Sequence, residues 1–274
     1  MTPASARTDP HAAAPRPPSP VLQLLELRAG AELGSALALL PLLRRAPAGD
    51  GHPVLVLPGL LAGDATTRLL RAFLADRGYR AHGWGLGRNL GLRDGLEARL
   101  IGRLHELHRE TGRRVSLVGW SLGGVFAREI ANAAPQLVRS VVTLGSPLRG
   151  NPKSTNAWRI YEWVSGQRVD DPALRRPKEA PPPVPTTSIY SRSDGVVAWP
   201  CSVERAGPQS ESIEVVGSHL GLGVNPAVLY AVADRLAQPE GRWRHFDRSG
   251  LRAWIYPDPA RTDAVPSGTS LASP

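Results

Sequence analysis

Apolar positions in this chain fall into two kinds of run. Short runs rich in valine, leucine and isoleucine occupy residues 54–57, 115–118 and 211–216. A further strand-like run bounded by Tyr79 and Trp84 lies between the first two, and a β-branched and aromatic run starts at Thr186. Each is bounded by glycine, proline or polar residues, so each predicts a strand. Between them lie stretches of helical spacing. These predict an amphipathic helix over residues 96–109 and further helices over 125–134, 155–165 and 226–236. One more is expected to start near Asp64, a good N-cap, and another near Leu92. Residues 21–43 read as one or two helices covering the core. Strands alternating with helices predict an α/β fold, a mostly parallel sheet with helices on both faces.

The length of 274 residues and the 42% hydrophobic composition support one sizeable core. The expected organisation is a disordered segment over residues 1–20, one domain over 21–260 and a disordered tail over 261–274. Residues 34–43 form an apolar run of ten, too short to span a bilayer. No signal peptide is recognised, so a cytoplasmic location is expected, with peripheral membrane contact left open. The net charge of +9 would suit a nucleic-acid partner, but the arginines that supply it are scattered, and none is expected. Lone Cys201 leaves no intrachain disulfide and no metal cluster. The glycines at 83, 85, 87 and 91 lack the lysine and the ribose-binding acid of a nucleotide loop, and read as a turn toward the next helix, with Arg88 and Asn89 near the cleft.

The chemistry gathers around Gly119-Trp120-Ser121-Leu122-Gly123, which stands between a predicted strand and a predicted helix. This is the G-x-S-x-G nucleophile elbow in the context it needs, a serine forced out at a sharp turn by glycines that let strand and helix approach. Such a serine requires a base, and the base an orienting acid. Of the seven histidines only His219 and His245 follow the elbow. His219 lies in a small-residue loop after a predicted strand and is the candidate base; His245 reads as a surface or packing residue. His105 and His108 fall on a helix ahead of the elbow. The candidate acid is Asp194, in an Asp-Gly turn after the run from Thr186. Asp170 and Asp171 are weaker choices, with no strand before them. The amides of Leu122 and of Leu60, after Pro58-Gly59, are the expected oxyanion donors.

Residues 54–64, 115–124, 188–197 and 215–222 together resemble the α/β-hydrolase superfamily, in particular its bacterial lipase- and esterase-like members. The resemblance implies a serine hydrolase acting through an acyl-enzyme on a small-molecule or lipid ester, without a cofactor or a metal. Pro58-Gly59 stands where many lipases have His-Gly. A cap is expected over residues 148–183, with Trp158, Tyr161 and Trp163 facing an acyl pocket or anchoring the cap. Trp120 and Trp199 are further candidate pocket walls. A serine acyltransferase and a non-catalytic binding protein of the same fold are the alternatives.

Overall fold

A computed structural model describes residues 15–171 and 179–259. The expected disorder of residues 261–274, and of most of residues 1–20, falls outside that range. The strands are β1 (Pro53–Leu57), β2 (Arg80–Gly83), β3 (Val115–Trp120), β4 (Val138–Leu144), β5 (Thr186–Tyr190) and β6 (Ser210–Glu214). The helices are α1 (Pro20–Leu24), α2 (Ala29–Ala38), α3 (Leu40–Leu43), α4 (Arg68–Asp76), α5 (Leu96–Thr111) and α6 (Leu122–Ala133). They continue with α7 (Trp158–Ser165), α8 (Trp199–Ser202), α9 (Pro226–Leu236) and α10 (Arg252–Ile255). Among the described residues no helix is long and apolar enough to cross a membrane.

The six strands form one parallel sheet in the order β2-β1-β3-β4-β5-β6. Side chains alternate across it, so successive residues of one strand enter different cores. Val54, Val56, Val118 and Val142 pack with α4 and α9, while Leu55, Leu57 and Leu117 pack with α5 and α6. Burial on both faces is why β1 reads as a nearly continuous apolar run and β3 as one broken by Ser116. The sequence pattern did not mark β4, whose apolar run is interrupted by Arg139 and Ser140. From β1 the chain steps outward to β2, then returns to place β3 on the other side of β1. The loops leaving β1 and β3 therefore diverge, and a crevice opens at the strands' carboxyl ends.

Two expected helix starts move. Asp64 does not cap α4, which begins at Arg68 after Thr67. Its carboxylate accepts instead from the Trp84 and Gly85 amides at 3.0 and 3.1 Å, tying the loop after β1 to the end of β2. Likewise α5 begins at Leu96, because the turn from Gly83 continues to Gly95, whose φ of 73° suits glycine.

The amino-terminal helices cover less apolar surface than the pattern suggested. Ala36 and Leu43 enter the core, but Leu24, Leu27, Leu37 and Leu42 are exposed. The residues just ahead of α1 touch the body: the Pro18 carbonyl accepts from Asn156 Nδ2 at 3.1 Å, and the Pro15 carbonyl from Ser154.

Candidate active site

Ser121 follows β3 directly and precedes α6, with φ 53° and ψ −123°. Among the described residues only Ser121 and Leu61 combine a side chain with a positive φ, and both lie at this crevice. Such outliers cost energy and persist where the surroundings over-determine them. Here the surroundings are backbone. A Cβ on Gly119 would run into Gly124, one on Gly123 into the Leu57 carbonyl, and one on Gly124 into Ser146. Strand and helix are thus pressed together around the turn, as the elbow motif predicts. The Ser121 hydroxyl is not spent on capping α6. Leu122, the first residue of that helix, has no carbonyl one turn earlier to receive its N–H.

The loop after β1 closes on the serine. A Cβ on Gly59 would lie 3.3 Å from Ser121 Cβ and 3.9 Å from its Oγ, so the chain enters Leu60 directly beside Ser121. Asn89, fully buried, braces this loop: its Nδ2 donates to the Pro58 carbonyl at 2.8 Å, and its own carbonyl accepts from Leu61 N at 2.7 Å. The glycine-rich stretch from Gly83 to Gly91 therefore supports the crevice.

Asp194 and His219 arrive from the loops after β5 and β6. Asp194 Oδ1 accepts from the Val196 and Val197 amides at 2.8 and 2.7 Å, which leaves Oδ2 for His219 Nδ1 at 2.7 Å. A carboxylate can only accept, so Nδ1 carries the proton and Nε2 is free to take one. Burial presses His219 toward neutrality. The charges of Asp194 and Glu26, with the Asp194 hydrogen bond, more than offset it and hold the imidazole above the ordinary histidine value of 6.5.

A cavity of about 370 Å³ opens beside Ser121. Its predominantly apolar wall includes Leu60, Ser121, Leu122, Leu100, Phe126 and Trp158.

The same parallel architecture recurs in lipase B of Aspergillus fumigatus, with a TM-score of 0.53 at 16% identity, over 70% of this chain and 53% of that one. A strand–serine–helix elbow, then an acid, then a histidine in chain order completes the pattern. The chain has the α/β-hydrolase fold. No family model matches it. In sequence it is similar to the triacylglycerol lipases of Pseudarthrobacter phenanthrenivorans and Burkholderia plantarii. Each is 41% identical over 59 residues, which is 21% of this chain but only 18% and 16% of theirs.

On this hydrolase fold the remaining candidates separate. Trp158 is in the cavity wall with Tyr161, whereas Trp163 is 84% exposed. Trp120 and Trp199 depart from the expectation that they wall the pocket. Trp120 packs on Gly223 and donates from Nε1 to the His219 carbonyl at 3.1 Å. Trp199 stacks on Tyr190 at 5.9 Å, with Arg192 on its ring. Asp170 pairs at the surface with Lys153 and Arg168. His245 is exposed beside Trp243. Of the expected cap, α7 and the turn before it are described, and residues 172–178 lie outside.

Sequence reasoning missed two groups. Glu26, in the turn between α1 and α2, and Glu32 on α2 reach the loops that carry Asp194 and His219. A second serine–histidine–aspartate cluster lies toward the opposite end of β3, with Ser116 and His52 buried and Asp50 at the surface. An aspartate two residues before a histidine ahead of a strand was its one sequence signal.

Proposed function

We propose that this chain is a serine hydrolase that cleaves carboxylic esters through an acyl-enzyme. The observation that carries the reading is the Asp194–His219 pair on loops at the same end of the sheet as a strained serine, whose hydroxyl is uncommitted to its helix and lines an apolar cavity. In the first step Ser121 Oγ attacks the ester carbonyl carbon while His219 Nε2 takes its proton. Asp194 stabilises the imidazolium, and the Leu60 and Leu122 amides hold the oxyanion. The carbonyl–alkoxy bond then breaks, with the His219 proton passing to the departing alcohol. Water attacks the acyl-enzyme, giving its proton to His219, and the carboxylic acid leaves as Ser121 regains a proton. Leu100, Phe126 and Trp158 would bury the acyl chain. The partial likeness to triacylglycerol lipases is consistent with a lipid ester, and the apolar wall favours an acyl group over a small polar one.

The test is fluorophosphonate labelling with peptide mapping, followed by p-nitrophenyl esters of increasing chain length. One adduct on Ser121, with turnover that rises from acetate to a longer acyl chain, is expected. A folded protein that forms no adduct at Ser121 rules the reading out.

A further inference from the structure

Three charged side chains of the amino-terminal segment end on the two loops that carry the acid and the base. Glu26, 7% exposed, spans both. Its Oε1 accepts from Gly195 N at 2.7 Å and from His219 N at 2.9 Å, while Oε2 accepts from Leu220 N at 2.8 Å. Gly195 directly follows Asp194, so one carboxylate holds the neighbour of the acid and the base itself. Arg28 donates to the Ser193 carbonyl at 2.8 Å and to its hydroxyl at 2.7 Å. Glu32 accepts from Ser218 N at 2.7 Å and from Asn225 Nδ2 at 3.0 Å.

The glycines of these loops fit the segment rather than general flexibility. A Cβ on Gly195 would run into the Leu22 carbonyl, and one on Gly221 into the Glu32 carboxylate. With leucines of the segment turned outward, its hold on the loops is largely polar. Buried amides require acceptors, and here the acceptors come from more than 160 residues away in sequence.

We propose that Glu26 is a positioning residue, locking the Asp194 and His219 loops into one register so that the pair is held ready for Ser121. The proposal rests on the serine-hydrolase reading above. The charged groups facing His219 are Asp194 and Glu26, with Glu32 and Arg28 one layer farther out and Trp120 supplying only a neutral donor. A second carboxylate beside the imidazole also favours its protonated form.

The test is Glu26→Gln in the full chain, read with a soluble p-nitrophenyl ester and by the rate of fluorophosphonate labelling. Glutamine keeps one accepting oxygen and turns an amide toward an N–H on the other side. Misplacement of this order should cost about ten- to a hundredfold in kcat, with KM within about twofold of the parent. The acid limb of kcat/KM should move to lower pH, because less negative charge surrounds His219. Glu32→Gln, which leaves the Gly195 and His219 amides paired, should cost less and shift the limb less. Gly195→Ala gives an independent route, since its methyl lifts α1 from the acid loop while every charge remains; it should also lower kcat. Folded Glu26→Gln and Gly195→Ala proteins with the parent's kcat and pH profile would overturn the proposal. Absence of a Ser121 adduct in the parent protein would instead remove the serine-hydrolase reading, and this one with it.

Discussion

A serine stands at each end of strand β3, Ser116 bonded to a histidine–aspartate pair and Ser121 at the sheet end where the loops bring a second such pair. At the amino end the chain of contacts is complete: Asp50 Oδ1 to His52 Nδ1 at 2.5 Å, His52 Nε2 to Ser116 Oγ at 2.9 Å, and Ser116 Oγ to Ser140 Oγ at 2.9 Å. Judged by distances alone, this is the better-formed triad. Yet His52 and Ser116 are fully buried, and Ser116 sits in regular strand, in register with Val54 and Ser140. Burial pushes His52 down to about 4, more than the Asp50 hydrogen bond raises it, so at neutral pH it is an uncharged connector. At the carboxyl end the serine is partly exposed and bent out of the strand, with helix-start and loop amides at hand. Access, backbone strain and uncommitted donors separate the candidate active site from a core network built of the same residue types.

The sharpest way to break this comparison is to delete each hydroxyl in turn. Ser121→Ala should lower kcat/KM for a p-nitrophenyl ester by about 10⁴-fold or more, since a triad acts as a unit. Its thermal midpoint should stay near the parent's. Ser116→Ala should do the reverse, leaving kcat/KM within about twofold but costing about 1–3 kcal/mol of stability, because His52 Nε2 and Ser140 lose a buried partner. If Ser116→Ala abolished turnover while the fold survived, the two clusters would have exchanged roles.

Next in size is Asp194→Asn. An amide at this position no longer enforces the proton on Nδ1, and losing the correct tautomer costs about 10³–10⁴-fold in kcat for enzymes of this type. Asp170→Asn, at the surface salt bridge, should leave kcat unchanged. Equal losses in the two variants would return the acid's identity to question.

The elbow, and the residues proposed as acid and base, were readable because the chemistry they would serve constrains short stretches of chain. A strand that ends in Gly-x-Ser-x-Gly leaves few other conformations, and the order of serine, acid and histidine narrows the rest. Glu26 and Glu32 were not readable. Lone carboxylates among exposed leucines look like a solvated face, and their partners lie 169 to 194 residues away. Asp64 misled for a local reason: a residue suited to cap the next helix is equally suited to accept two amides from β2. Trp120 and Trp199 stand close in sequence to Ser121 and Asp194, but Trp120 is the last strand residue before the sharp turn at Ser121, and Trp199 opens a separate helix after the loop of Asp194. Adjacency in the chain therefore says little about which side chain meets the substrate.

The two histidines should also part in acid. His52 has a folded pKa below its unfolded value of 6.5, so the unfolded chain binds the extra proton as pH falls from 6.5 toward 4. Stability should drop across that window by about 3 kcal/mol from this group. Partial burial acts the other way on Asp50, but hydrogen bonds from His52 and Arg139 hold it below the usual carboxylate range, which adds a loss at still lower pH. His219 has the opposite sign. Its raised value contributes stability that is full below 6.5 and is lost as pH rises through the folded value. Urea melts between pH 4 and 7 on the parent and on His52→Asn should show the acid slope shrinking in the variant. The kcat/KM profile should meanwhile keep an acid limb with its midpoint above 6.5, since the working base must be neutral. An unchanged slope in His52→Asn would place the acid sensitivity elsewhere.

The smallest expected effect concerns how each histidine is held in place. The His52 ring rests edge-on against Tyr79 at 5.1 Å, a contact within the core. His219 is held through its backbone, by the Trp120 indole N–H on its carbonyl. Trp120→Phe keeps most of the ring packed on Gly223 and deletes only that donor. A neutral hydrogen bond contributes about 0.5–1.5 kcal/mol. If that loss appears in how well the base is placed, kcat should fall roughly two- to tenfold. KM should stay put, because the indole faces the histidine loop and not the cavity wall. A rise in KM that grows with acyl chain length would mean instead that Trp120 meets the substrate, and the division between holding the base and shaping the pocket would need to be redrawn.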